Sequence, residues 1–261
     1  MKTIENITRI EEKYLITTKK KFELITQLKK KLCIDKYGDQ GKYQVKTLYF
    51  DTPDCQDYQD KINEKQQRKG IRMRIYNNKD KSVKLELKLK DNSIQNKISL
   101  KIKKDDAERL IKKDYECLKS YASEVATQLY EILTNNNYEP KTLILYNRYA
   151  FNSLDSKIRI TIDSDLSTSN TFFNLWEENI ETYPVSGINE HILEIKKING
   201  LPEEIEKIIF PLEIQEKPAS KYKRLVSNIP TQTDIIRRKD HIFTKLILFL
   251  QKILLKIAKL F

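Results

Sequence analysis

Glycine is scarce here, with five in 261 residues, and neither GxGxxG nor GxxxxGK[ST] occurs. The backbone cradles that hold phosphates in dinucleotide folds and P-loops therefore have no sequence to build them. Three cysteines, Cys33, Cys55 and Cys117, form no CxxC and cannot all pair. A disulfide framework and a structural zinc site are disfavoured, and a reducing cytosol is expected. The two histidines, His191 and His241, do not cluster with a cysteine or serine, and His191 reads as structural rather than catalytic. The opening residues MKTIEN lack the apolar core of a signal peptide, so no secretory leader is expected.

Charge is what the chain has in excess. Charged residues make up 33% and the net charge is +12, which points to an anionic partner. Residues 241–261 hold four lysines and no acid, leaving +8 for the first 240. No exposed aromatics interleave with the basic residues as a stacking platform would require, so nucleic acid is not the expected partner. The length suits one large β-rich domain or two smaller ones.

The charge follows a strand's period. In Gly70–Tyr76, Arg72 and Arg74 point to one face and Ile71, Met73 and Ile75 to the other. Six further segments carry long polar residues at the same spacing: Arg9/Glu11/Lys13, Lys84/Glu86/Lys88, Lys97/Ser99/Lys101, Tyr146/Arg148, Lys157/Arg159 and Glu194/Lys196. If such strands close on themselves, their charged faces line one interior. For any single strand the plainer reading is a surface ion pair; seven with the same habit favour a tunnel. Unit charges ~6 Å apart repel by about 3 kcal/mol at an effective dielectric near 20. A tunnel of this kind demands a triphosphate or longer phosphate chain, which arginine forks and lysine ammonium groups both suit. Removing Arg72 or Arg74 is then expected to leave the fold intact or more stable. The carboxylates Glu11, Glu86 and Glu194 are candidates to hold Mg²⁺ or Mn²⁺.

In chain order, a strand over Arg9–Ile16 leads to a helix capped by Thr17 or Thr18 and running to about Leu32. A strand over Tyr43–Phe50 ends at the turn Asp51–Asp54, and a short polar helical stretch spans 55–67. Strands follow at Ser82–Lys90 and Ile94–Ile102, then helices over 104–113 and 120–134. Strands are expected again at Leu143–Phe151, Lys157–Ile162 and His191–Ile198, and a helix from Pro218. Residues 1–227 form the expected globular unit, 228–240 a tether, and 241–261 an amphipathic helix. Lys245, Lys252, Lys256 and Lys259 fall within roughly 60° of one another on that helix. A basic stripe against a broad apolar face fits the membrane interface, or a membrane-protein partner, better than a span. The alternative is a helix docked on its own domain.

The ordered motifs resemble a known family. Glu11-Glu12-Lys13-Tyr14 is similar to the ExK signature of the triphosphate tunnel metalloenzymes. The later marks resemble their polyphosphate polymerase (VTC-type) branch: Leu48-Tyr49-Phe50-Asp51, Gly70-Ile71-Arg72-Met73-Arg74, Leu85-Glu86-Leu87-Lys88 and Tyr146-Asn147-Arg148-Tyr149-Ala150-Phe151. They continue with Arg159 to Leu166, Leu193-Glu194-Ile195-Lys196 and Pro218-Ala219-Ser220-Lys221-Tyr222. The resemblance implies an α+β fold: an antiparallel β-tunnel with flanking helices. It implies phosphate contacts from Lys13, Arg72, Arg74, Lys88, Arg148 and Arg159, with Lys97, Lys196, Ser220 and Lys221 adding to them. Glu194, with Glu11, corresponds to the metal carboxylates. The implied activity is transfer of the γ-phosphoryl of ATP to inorganic polyphosphate with Mn²⁺ or Mg²⁺. A tripolyphosphate or other triphosphate hydrolase, or an inactive polyphosphate-binding subunit, is the alternative. The expected location is cytoplasmic, peripheral at the inner face of the membrane.

Overall fold

A computed structural model describes residues 10–210, apart from 79, 93, 186, 188 and 199, together with the short strand at 215–216. Arg9, Ser220, Lys221, the helix expected from Pro218, the tether and the 241–261 helix lie outside the described residues.

The main chain builds one antiparallel sheet. Its strands are β1 (Ile10–Ile16), β2 (Cys33–Ile34), β3 (Lys42–Asp51), β4 (Gln67–Tyr76), β5 (Ser82–Asp91), β6 (Ile94–Lys103), β7 (Glu139–Asn152), β8 (Ile158–Ser169), β9 (Tyr183–Pro184), β10 (His191–Lys197) and β11 (Gln215–Glu216). They are ordered β11-β1-β10-β8-β7-β3-β4-β5-β6, with β2 beside β7 and β9 beside β8. Among the described residues five α-helices are added: α1 (Thr18–Leu28), α2 (Gln56–Ile62), α3 (Lys104–Ile111), α4 (Glu124–Asn135) and α5 (Glu203–Ile209).

Alternation along the strands decides which face the helices cover. Ile71, Met73 and Ile75 of β4 and Val83, Leu85 and Leu87 of β5 are all fully buried. They pack with Leu48 and Phe50 of β3, Ala107 and Leu110 of α3, and Leu129 and Leu133 of α4. A second cluster joins Tyr14, Ile16, Ile160, Ile162, Leu193 and Ile195 to Leu24 and Leu28 of α1 and Ile205 and Ile209 of α5. Burying even one such aliphatic side chain contributes about 1.5–3 kcal/mol, so the apolar face has to face the helices. The charged face is left for the concave side.

The sheet is curled. β1 and β5 are six strand spacings apart in the sheet order, roughly 29 Å if the sheet were flat. Glu11 and Lys13 of β1 nevertheless line the same cavity as Lys88 of β5. Register shifts at Tyr49/Phe50 and Leu145/Asn147 supply bends of the kind that strengthen twist. At the second, β7 advances two residues while β8 advances three, and Asp165 there has a left-handed φ of 56°.

Several boundaries differ from the sequence reading. The strand expected at Lys157–Ile162 begins at Ile158 and continues to Ser169. Lys157 therefore precedes the strand; it is exposed and pairs with Asp155 at 3.3 Å. The helix expected over 120–134 starts later, at Glu124, where Ser123 caps α4 by accepting from the Ala126 amide at 3.2 Å, and a 3-10 turn at Glu116–Ser120 precedes it. Thr17 caps α1 as expected, accepting from the Lys20 amide at 3.4 Å. The helix α5 and the two-residue strands have too few periodic residues to have been legible.

Candidate phosphate-binding site

The site begins at the β4–β5 ladder. Arg72 lies opposite Glu86 in register, and its Nε donates to Glu86 Oε2 at 2.6 Å. Lys97, across from β5 on β6, approaches Glu86 Oε1 at 3.3 Å. Burial alone would raise the Glu86 pKa, but Arg72, Arg74 and Lys97 outweigh it and hold the carboxyl down to about 2. Among the described residues Arg74 forms no ion pair with a carboxylate; its Nε donates to Thr47 Oγ1 at 3.2 Å, and it also hydrogen-bonds Tyr76. On β7, Arg148 makes a fork onto Asp163 of β8 at 2.6 and 2.8 Å. Arg159 pairs with Asp35 at 2.7 Å and donates to Asn152 Oδ1 at 2.7 Å and the Tyr43 hydroxyl at 3.2 Å.

Across β1 and β10, register puts Lys13 opposite Glu194 and Glu11 opposite Lys196. The four side chains form a square of alternating charge. Lys196 stands 3.2 Å from Glu194 and 3.3 Å from Glu11, Lys13 stands 3.9 Å from Glu194, and Lys13 also pairs with Glu11. Burial pushes Glu194 upward, yet Lys196, Lys13 and Arg148 together hold it down to about 2.

These strands enclose a cavity of about 120 Å³. Seven cationic side chains line it (Lys13, Lys61, Arg72, Arg74, Lys88, Arg148 and Lys196) against two carboxylates, Glu11 and Glu194. Arg159, Lys97 and Glu86 stand outside that lining. Lys88 is pushed down to about 7, first by the Arg72 guanidinium and then by burial. Lys61 is also pushed down to about 7, by burial first and then by Lys13, Arg72 and Arg68. Burial and the crowding of cations thus favour the neutral forms of Lys61 and Lys88.

That behaviour is measurable. An anion in the cavity favours the charged form of Lys61, so binding inorganic tripolyphosphate near pH 7.5 should take up protons, and affinity should weaken as pH rises above about 7. Calorimetry in buffers of different ionisation enthalpy should show uptake falling by about half a proton or more in Lys61→Gln. Equal uptake in both proteins would remove Lys61 from the site.

The family model of the VTC domain matches residues 8–228. The chain belongs to the VTC domain family. Among solved structures, it is similar to HpAC1 from Hippeastrum, named as an adenylyl cyclase and described as having a dominant triphosphatase activity. That likeness has a TM-score of 0.54 at 12% identity and covers 84% of this chain and 96% of the other. A protein from Bacillus halodurans, named as an adenylate cyclase, aligns with TM-score 0.46 and 17% identity over 78% and 86% of the two chains. PH1819 from Pyrococcus horikoshii aligns with TM-score 0.46 and 15% identity over 84% and 99%. A sequence search of curated proteins returned no match. The fold of this VTC domain is the triphosphate tunnel fold.

The VTC domain also uses residues that its sequence did not single out. Lys61 reaches the cavity because Asp51 caps α2, accepting from the Asp57 amide at 2.9 Å and the Tyr58 amide at 3.0 Å. Tyr138 ties the same helix down, donating to Asp57 at 2.9 Å. Asp35 and Asp163 hold Arg159 and Arg148 from other segments. Only the Asp51 turn carried a local signal, since the helix it caps is polar on most sides. Glu11 and Glu194 are ionised, oxygen-bearing and on the lining, a donor set that fits Mg²⁺ or Mn²⁺ shared with phosphate oxygens. Among the described residues no cluster of three or more such ligands occurs. Glu86 stands apart from the pair, outside the cavity lining and held by Arg72 and Lys97.

Proposed function

We propose that this VTC domain is a metal-dependent polyphosphate polymerase that transfers the γ-phosphoryl of ATP to a growing polyphosphate chain. The observation that carries the reading is the cavity lined by seven cations and two carboxylates. A terminal phosphate oxygen is already an anionic nucleophile, so no side chain has to remove its proton. What the reaction needs is alignment and charge stabilisation. Arg72 is held by Glu86 and the Tyr49 hydroxyl, Arg148 by Asp163, and both guanidinium groups line the cavity that would take the phosphate oxygens. Arg74, Lys13, Lys88 and Lys196 add charge around the transferred group, and Arg159 supports one end through Tyr43. Glu194 and Glu11 would hold a Mg²⁺ or Mn²⁺, which would supply electrostatic stabilisation to the transferred phosphoryl group. The test is incubation of the full chain with ATP and either metal. Long polymer with matching ADP supports the reading, orthophosphate alone indicates a hydrolase, and binding without turnover indicates an accessory subunit.

We further propose that residues 1–227 carry this chemistry and that 241–261 hold the protein at an anionic membrane surface or a membrane partner. Among the described residues no helix is long and apolar enough to cross a membrane. The four lysines of 241–261 contribute ~1 kcal/mol each near anionic headgroups, and the apolar side chains add a term that salt does not screen. Deleting 241–261 should abolish sedimentation with anionic vesicles while ATP turnover persists. A truncated chain that precipitates would place the helix in the core instead.

A further inference from the structure

Three tyrosines from separate segments meet beyond the last arginine of β4. Tyr76 shares the face of Arg72 and Arg74, two residues further along the strand, about 7 Å past Arg74 and ~14 Å past Arg72. Tyr37, from the loop between β2 and β3, stacks on it with ring centroids 5.5 Å apart and planes at 29°. Tyr43 of β3 meets both rings edge-on, at 6.4 and 5.8 Å. Tyr43 is buried and lies in register with Arg148, while Tyr37 keeps 48% of its surface open to water.

The loop that presents Tyr37 is built tightly. Gly38 has φ 115°, and a Cβ there would meet the Lys42 carbonyl oxygen at 2.3 Å. Asp35 accepts from the Tyr37 amide at 3.1 Å and pairs with Arg159 at 2.7 Å, so one carboxylate fixes both the loop and an arginine of the site. Lys84 stands over the Tyr76 ring at 5.5 Å, and the exposed Lys36 over Tyr37 at 5.9 Å.

We propose that this cluster is the nucleobase subsite, where the purine of the incoming nucleoside triphosphate stacks on Tyr37 and directs its phosphates towards Arg74 and Arg72. The inference rests on the phosphate-binding reading of the cavity. A phosphate chain offers charge and acceptor oxygens but no face to stack. An open aromatic stack at the end of a row of arginines matches a ligand with a flat apolar group at one end and anionic groups at the other. Tyr37 is a binding residue in this scheme, with the tyrosines beneath it holding its ring in place.

The test compares two probes on the full chain with Mg²⁺: the β,γ-imido analogue of ATP, and inorganic tripolyphosphate, which has no base. Tyr37→Ala should weaken the ATP analogue about tenfold to a hundredfold and leave tripolyphosphate unchanged. Tyr37→Phe should match wild type with both, and Tyr37→Leu, which keeps apolar bulk without a π face, should resemble alanine. Equal weakening of both probes, or no change in either, would overturn the subsite while leaving the cationic cavity in place. If wild type binds neither probe, the phosphate reading falls and the subsite with it.

Discussion

Arg74→Ala should lower ATP turnover ~100-fold, about 3 kcal/mol of lost transition-state stabilisation, with thermal stability unchanged or raised. Arg74 lines the cavity with six other cations and is held by the neutral Thr47 hydroxyl. Removing it relieves repulsion, and Glu86 keeps its direct contacts to Arg72 and Lys97. Arg72→Ala should lose activity to a similar degree but also lose stability. Glu86 is 2% exposed and depends on Arg72 at 2.6 Å; Lys97, at 3.3 Å, is a more exposed substitute. Breaking such a buried pair costs about 3 kcal/mol or more, which for a domain of this size lowers the melting temperature by roughly 6–12 °C. The sequence reading expected both variants to keep or gain stability; the pairing with Glu86 reverses that for Arg72. Turnover and melting temperature of the two single variants decide the matter. Near-normal turnover in both would remove the cavity from catalysis, and equal melting temperatures would show that Glu86 needs no arginine.

Glu194→Gln should raise the metal concentration needed for half-maximal activity on the order of tenfold or more, while metal-free binding of tripolyphosphate persists or tightens. Glutamine keeps the shape but loses the charge that offsets Lys196, Lys13 and Arg148. The pH dependence of stability offers a second readout. Glu194 ionises at about 2 when folded against an ordinary value of 4.5, so its contribution is complete above 4.5 and is lost as pH falls towards 2. The variant has no such group, and its acid limb should be shallower over that interval. Metal titrations that cannot tell variant from wild type would take Glu194 out of the metal site.

The division of faces was legible in the chain itself. Arg72 and Arg74 alternate with Ile71, Met73 and Ile75, and a pleat sends neighbours to opposite sides wherever the strand is placed. The same local rule marked Glu11/Lys13, Lys84/Glu86/Lys88 and Glu194/Lys196, while Thr17 announced a helix start and the Asp51 turn a strand end. Lys157 shows the limit of that rule, because its spacing from Arg159 matched the pattern although the strand starts one residue later. Which cation meets which carboxylate was decided only by tertiary structure. Arg159 finds Asp35, Arg148 finds Asp163, and Lys61 enters from a short polar helix. Tyr37, Tyr43 and Tyr76 meet only because β3 and β4 pair in one register and the Gly38 loop folds back over them. Pleating is a property of consecutive residues. Register and curl are set by bulges, by the helices packed on the outer face and by pairings between distant segments, and no window of sequence contains those together.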